Sequence, residues 1–341
     1  MFRQVRKRET WAVVRENLKK FNVDPMHDGA LWEEVLYEET NYLKSDAISM
    51  ITKALKVSPA EVANITVLKK GMTNRSFLFT CRDKKFIIRI PGEGTDQLIN
   101  RREEAQVYQT INGKHICDDI VYINQDNGYK ITEFLEGARV CDADNVDDLK
   151  KCMQKLREFH CMSFSVDHEF NIFGQIDFYE SLWRGAPSIY RDYKKTKENV
   201  FSLQSYINDH VDRKCLAHID AVPDNFLFTA DGDIRLIDWE YAGMQDPHVD
   251  IAMFCVYALY NKHQIDRLIN IYFENRCHVE TRIKIYCYIA ACGLLWSNWC
   301  EYKRRLGVEF GEYSLCQYQY AKDYYKIAMD ELEEWSSNES K

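Results

Sequence analysis

Along this chain the spacing of hydrophobic and polar positions changes twice. Up to about residue 60 it is helical, in Trp11-Ala12-Val13-Val14-Arg15-Glu16-Asn17-Leu18 and again from Ala47 to Leu55. Ser58, Pro59 and Glu61 then read as a cap, a first-turn proline and the return arm of a capping box. At Ile65 the pattern becomes that of strands. Ile65-Thr66-Val67-Leu68, Phe77-Leu78-Phe79-Thr80 and Lys85-Phe86-Ile87-Ile88-Arg89-Ile90 are joined by a polar loop at 71–76 and a turn at Arg82-Asp83. Pro91-Gly92 breaks the third strand, and a helix starts at Asn100. A second hairpin, Ile120 to Asn124 and Tyr129 to Leu135, surrounds Asp126-Asn127-Gly128. Helical spacing then returns: Leu149, Met153, Leu156 and Phe159 mark a helix within 140–160, and 171–212 is polar, aromatic and helical. The run Ile285 to Cys300 is apolar, but it is short for a membrane span and holds Ser297 and Asn298, so it reads as a buried helix.

The helical half is interrupted once, between Leu216 and Tyr241. Two apolar runs, Phe226 to Phe228 and Ile234 to Ile237, flank Asp231-Gly232, a strong hairpin signal. A two-residue loop there would pair 228 with 235 and 226 with 237, and would set Asn225 directly opposite Asp238. An amide oxygen and a carboxylate about 5 Å apart can hold one Mg²⁺. A slip of one residue would put the two on opposite faces. Asp220, five residues before Asn225, lies on a loop broken by Pro223. Asp, then Asn, then a second Asp on the next strand is the layout of a kinase. There the first Asp receives the acceptor's hydroxyl proton, and the other two hold the metal of ATP. Asp238 and Asp250 are only about a dozen residues apart, too few for the peptide-docking segment of a protein kinase, so the acceptor is expected to be a small molecule.

Composition narrows the picture little. With 341 residues, 46% hydrophobic and 29% charged, the chain allows two lobes, each with its own core. A net charge of −8 argues against a nucleic-acid partner. The twelve cysteines form no C-x-x-C pair, and the basic start (Arg3, Arg6, Lys7, Arg8) lacks the apolar core of a secretory signal. Free thiols and a cytoplasmic location without membrane insertion are the expectation. The sequence sets no oligomeric state.

H-I-D-A-V-P-D-N at 218–225 and L-I-D-W-E-Y-A-G at 236–243 resemble the choline/ethanolamine kinase family, within the aminoglycoside-phosphotransferase-like kinases. The resemblance implies an α+β, two-lobed protein-kinase-like fold. Residues 1–60 would be a helical extension, 61–136 the nucleotide-binding N-lobe with an antiparallel sheet, and 137–341 a mostly helical C-lobe. It implies Asp220 as catalytic base, with Asn225, Asp238 and Glu240 on Mg²⁺. G-M-T-N-R-S-F looks like the nucleotide loop of bacterial choline kinases, which places Thr73, Asn74 and Ser76 over the phosphates of ATP. Arg89 stands where protein kinases carry a lysine. Adjacent helical residues point about 100° apart, so only one of Glu103 and Glu104 can pair with it, and Glu104 is the expected one. Glu133 and Leu135 fall on the interlobe hinge that reads adenine.

The resemblance also locates an acceptor pocket. Trp296 and Trp299 share one helix face, and Glu309-Phe310-Gly311 and a tyrosine-rich helix follow. Aromatic faces attract a quaternary ammonium, each contact worth about 0.5–2 kcal/mol. Trp296, Trp299 and Tyr320, with Glu240, are the expected choline contacts, and phosphocholine is the expected product. Ethanolamine, thiamine or an aminoglycoside stay open as acceptors, as does a catalytically silent nucleotide-binding module.

Overall fold

The computed structural model describes residues 47–70, 74–92 and 95–339. The helix expected near Trp11 and the loop residue Thr73 lie outside the described residues. The N-terminal half is a five-stranded antiparallel sheet of order β1-β2-β3-β5-β4. Its strands are β1 (Val62–Lys70), β2 (Asn74–Cys81), β3 (Lys84–Pro91), β4 (Ile120–Ile123) and β5 (Lys130–Glu133). A two-residue loop joins β2 to β3, with Arg82 and Asp83 both at positive φ (48° and 64°), the backbone that matches strand twist. Alternation then sorts the two faces. Phe77, Phe79, Phe86, Ile88 and Ile131 pack with Ala47 and Ile51 of α1 (47–55) into one small core. The opposite face carries Ile87 across from Thr132 and Arg89 across from Lys130, and turns toward the cleft. Helix α2 (Arg101–Ile111) is capped by the Asn100 side chain, which accepts from the amides of Arg102 and Glu103.

A second, larger core holds the rest. Its helices are α3 (Val146–Cys161), α4 (Ile172–Ser181), α5 (Tyr193–Ser202), α6 (Gln204–Asp209), α7 (His248–Tyr257), α8 (Lys262–Tyr272), α9 (Val279–Arg305) and α10 (Glu312–Glu339). The apolar run of 285–300 is the middle of α9, and all of it is buried except Trp296, which lines the cleft. Among the described residues no helix is long and apolar enough to cross a membrane. At Gly293 the backbone of α10 comes so close that a Cβ would stand 2.7 Å from the Gln317 carbonyl oxygen and 2.9 Å from the Ala321 nitrogen. Glycine is the one residue that lets two helices approach this far.

Short strands hold the interrupting segment. β7 (Cys215–Ala217) pairs with β10 (Gly243–Gln245), and β6 (Arg139–Val140), β8 (Phe226–Phe228) and β9 (Ile234–Leu236) form a three-stranded sheet. The β8–β9 hairpin forms, but not in the expected register. Phe226 pairs with Leu236 and Phe228 with Ile234, so the loop has three residues, Ala230 to Gly232. The Gly232 amide donates to the Thr229 carbonyl at 3.0 Å, and Gly232 takes φ +87° to close the turn. Across the ladder Asn225 therefore faces Ile237, whose amide donates to the Asn225 carbonyl at 3.0 Å, and not Asp238.

Candidate active site

The loop after β7 is held from behind by one buried carboxylate. Asp250, in the first turn of α7, accepts from the amide of His218 at 2.9 Å and that of Ile219 at 2.7 Å, and its Oδ2 lies 2.9 Å from His160 Nε2. His160 Nδ1 in turn meets the Tyr272 hydroxyl, so this histidine is structural. Ile219 is buried and β-branched, yet it sits at φ +67°. Such backbone costs on the order of 1–3 kcal/mol and persists only where the surroundings over-determine it. Here two hydrogen bonds to a charged acceptor do so. The result is to turn the next residue, Asp220, into the cleft.

Asp220 is then fixed from the front. The Asn225 Nδ2 donates to the Asp220 backbone oxygen at 2.9 Å and to its Oδ2 at 3.0 Å, leaving the Asn225 amide oxygen as an acceptor. His218 Nε2 donates to the Ile237 carbonyl at 3.0 Å and so ties this loop to the residue before Asp238. Burial holds that imidazole neutral, with its pKa near 4. Asp238 has φ +72° and leaves the line of β9, so its side chain reaches the same cavity as Asn225 despite the shifted register. Burial, and then the nearby charges of Asp238 and Glu240, push the Asp220 carboxyl well above the usual carboxylate range.

Above this floor lies a cluster of buried charges. Arg89 pairs with Glu104 at 2.5 Å and reaches Glu240 at 3.3 Å and Asp238 at 3.4 Å. Burial would lower the Arg89 pKa, but Glu104, Glu240 and Asp238 outweigh it and raise it. Glu104, not Glu103, is therefore the partner of Arg89. Glu240, expected on the metal and the acceptor, is engaged otherwise. Its Oε2 accepts from Asn74 (2.9 Å), Arg89 and Arg101 (both 3.3 Å), which makes it the acid that joins the lobes. Asn74 and Ser76 both line the cavity, and the Asn74 amide nitrogen makes that contact with Glu240.

The cavity is about 330 Å³ and has two dissimilar ends. Toward the sheet it is lined by Leu68, Ile87, Val222 and Ile237, with Asp118, Lys130 and Thr132. Glu133 and Leu135 do not line it. The Glu133 side chain pairs with Lys84, and its amide donates to the Asp119 carbonyl. Toward α9 the cavity is aromatic. The Trp296 and Trp299 rings meet edge to face at 5.8 Å, and Tyr241 stands across Trp296 at 6.0 Å. Tyr257 and Tyr313 complete the wall. The Trp296 Nε1 donates to the Met253 sulfur at 3.1 Å, which fixes that indole. Tyr320 is not part of the box. It packs at the contact with Gly293, where a Cβ on that glycine would stand 2.7 Å from the Tyr320 Cβ, and its hydroxyl donates to the Tyr260 carbonyl at 2.7 Å. Sequence reasoning missed Tyr241 and Tyr257. Tyr241 adjoins the L-I-D-W-E motif and could have been found there; Tyr257 ends a helix whose last turns are apolar and gives no signal.

Five carboxylates line the cavity (Asp118, Asp220, Asp224, Asp238, Glu240) against two cations (Arg89, Lys130), so its field favours a positive guest. Among the described residues no three His, Cys, Asp or Glu side chains converge as a metal cage. The Asn225 amide oxygen and the Asp238 carboxylate are oxygen donors of the kind a hard ion accepts.

The comparisons with known proteins bear on the fold and the family. A solved aminoglycoside phosphotransferase, APH(4)-Ia, shares the fold with a TM-score of 0.58 at 15% identity, covering 85% of this chain and 99% of that one. The crystal structure of choline kinase LicA from Streptococcus pneumoniae matches with a TM-score of 0.73 at 28% identity, over 84% of this chain and 99% of that chain. A structure of LicA in complex with AMP matches with a TM-score of 0.71, also at 28% identity, over 83% and 98%. Protein LicA of Haemophilus influenzae is 30% identical over 263 residues, 72% of this chain and 75% of that protein. The family model described as choline/ethanolamine kinase matches residues 65–291, which include most of the sheet, the braced loop and the first half of α9, and stop short of Trp296 and Trp299. The fold is the two-lobed kinase fold, and the chain belongs to the choline/ethanolamine kinase family.

Proposed function

We propose that this protein transfers the γ-phosphoryl group of ATP to the hydroxyl of choline, giving phosphocholine and ADP. The observation that carries this reading is the position of Asp220. It lines one cavity together with the aromatic residues and with Asn225 and Asp238, which supports this reading. In the reaction the choline oxygen attacks the γ-phosphorus, its proton passes to Asp220, and the bond to the ADP oxygen breaks. A raised pKa suits a base that must hold a proton briefly. Ser76 and Arg89 face the phosphates, and Glu104 acts through Arg89. Asn225 and Asp238 would hold Mg²⁺, which when bound offsets charge on the transferring group. Trp296, Trp299, Tyr313 and Tyr257 receive the ammonium. Their faces attract a cation and tolerate its methyl groups, which donate no hydrogen bonds, and this favours choline over a primary amine.

The test is ADP release against choline, ethanolamine, thiamine and kanamycin with Mg²⁺ present, with phosphocholine identified by ³¹P NMR. Choline should give the highest kcat/KM. Turnover of kanamycin alone, or of none of the four, would overturn the proposal.

A further inference from the structure

The sheet end of the cavity holds a polar group that the phosphoryl-transfer chemistry does not use. Asp118 is 7% exposed, and its Oδ1 is buried without a hydrogen-bond partner. The carboxyl is held by the hydroxyl of Thr132, which stands across from Ile87 at the head of the hinge. The one cation nearby, Lys130, is directed elsewhere: its ammonium donates to the Tyr108 hydroxyl and lies 4.3 Å from that ring's centroid. Around Asp118, Leu68 and Ile87 come from the sheet lobe, and Val222 and Ile237 from the helical lobe. Four aliphatic side chains from two lobes make a slot suited to a flat ring. A buried acceptor without a partner is costly, and a ligand that supplies the missing donor relieves that cost.

We propose that Asp118 selects the nucleobase, its Oδ1 accepting a hydrogen bond from the 6-amino group of adenine. The assignment rests on the reading that a nucleoside triphosphate occupies this cleft. A 6-oxo purine would put an oxygen where the amine stood, and two acceptors would face each other. Sites built around one such hydrogen bond reject the analogue that lacks it, because the protein group is left unpaired. Arg89 and Asp238, which serve the phosphates, do not enter this discrimination.

The experiment is calorimetric titration of the full chain with ADP, IDP and the diphosphate of purine riboside, which has hydrogen at position 6, each with Mg²⁺ and without choline. Wild type should bind ADP about tenfold or more tighter than either analogue. Asp118→Asn, whose amide can turn either face to the ring, should bring the ADP and IDP affinities to within about threefold of each other. Equal binding of the three nucleotides by wild type overturns the assignment, as does an ADP preference that survives in Asp118→Asn. If that variant fails to fold, the wild-type series decides alone. Binding of ADP with no base preference sinks only this inference, whereas no binding of any nucleotide sinks the proposed function as well.

Discussion

The floor of the cleft and its aromatic wall meet at Asp220, yet they are built by opposite means. The floor is polar and set by backbone geometry. Ile219 and Asp238 both hold positive φ, and Asp250 fixes the loop through two amides. The wall is apolar and set by packing: Trp299 rests against Trp296 and Phe310, on a helix buried for most of its length. A hydrogen-bonded floor fixes where the reacting atoms sit, and a packed wall fixes how tightly the guest stays. Damage to the floor should therefore appear in kcat, and damage to the wall in KM.

The sharpest way to break this comparison is Asp220→Ala. Loss of the base should lower kcat about 10²–10⁴-fold with KM for ATP little changed, measured by coupled ADP release. Asp250→Asn comes next. Its amide cannot accept from both backbone N–H groups with the strength of a carboxylate, so Ile219 loses what holds it at φ +67°. Both kcat, by about tenfold to a hundredfold, and stability, by about 2–3 kcal/mol in urea titration, should fall, although Asp250 touches no substrate. Trp299→Ala should raise KM for choline about tenfold and leave kcat within about threefold, while Tyr320→Phe leaves both unchanged. An equal KM effect from Tyr320→Phe would restore that residue to the box.

The smallest expected effect is on pH. Burial and its acidic neighbours raise the Asp220 pKa, so the base becomes a carboxylate only at a higher pH than an ordinary Asp. The acid limb of kcat/KM should lie clearly above pH 4, where a free Asp titrates at about that value. Stability carries the same sign. Below about pH 4 folded and unfolded chains both hold this proton, and no penalty exists. As pH rises, the unfolded chain loses the proton first, and the folded state loses stability through the window up to the raised pKa. Asp220→Asn should remove that loss, seen as a higher melting temperature than wild type at pH 8 and the same one at pH 3.

Much of this could be read in the sequence, where local rules decide the outcome. The five strands of the sheet, the cap at Asn100 and the limit to one partner among Glu103 and Glu104 all follow from alternation, capping and helix geometry. The β8–β9 register does not. Asp-Gly suggests a two-residue loop, but Ala230 joins the turn and Gly232 alone supplies the left-handed backbone. By the ladder rule that slip separates Asn225 from Asp238. They share a cavity because Asp238 leaves the strand, a conformation that no residue pattern announces in a non-glycine. The aromatic box shows the same limit. Helical spacing put Trp296 and Trp299 on one face, but choosing among the tyrosines depended on how α10 docks, a tertiary fact. Asp118 was passed over because an acid before a strand reads as a turn residue until its burial is known.

The clearance at Gly293 has a consequence for how such a protein can change its diet. Trp296 is one turn along the same helix, so the gap between α9 and α10 sets the width of the chamber as a caliper would. A single methyl at 293 would act as a shim between the two rods and shift that wall without altering any atom the guest touches. Acceptor size can thus drift through mutations invisible to a comparison of binding residues alone.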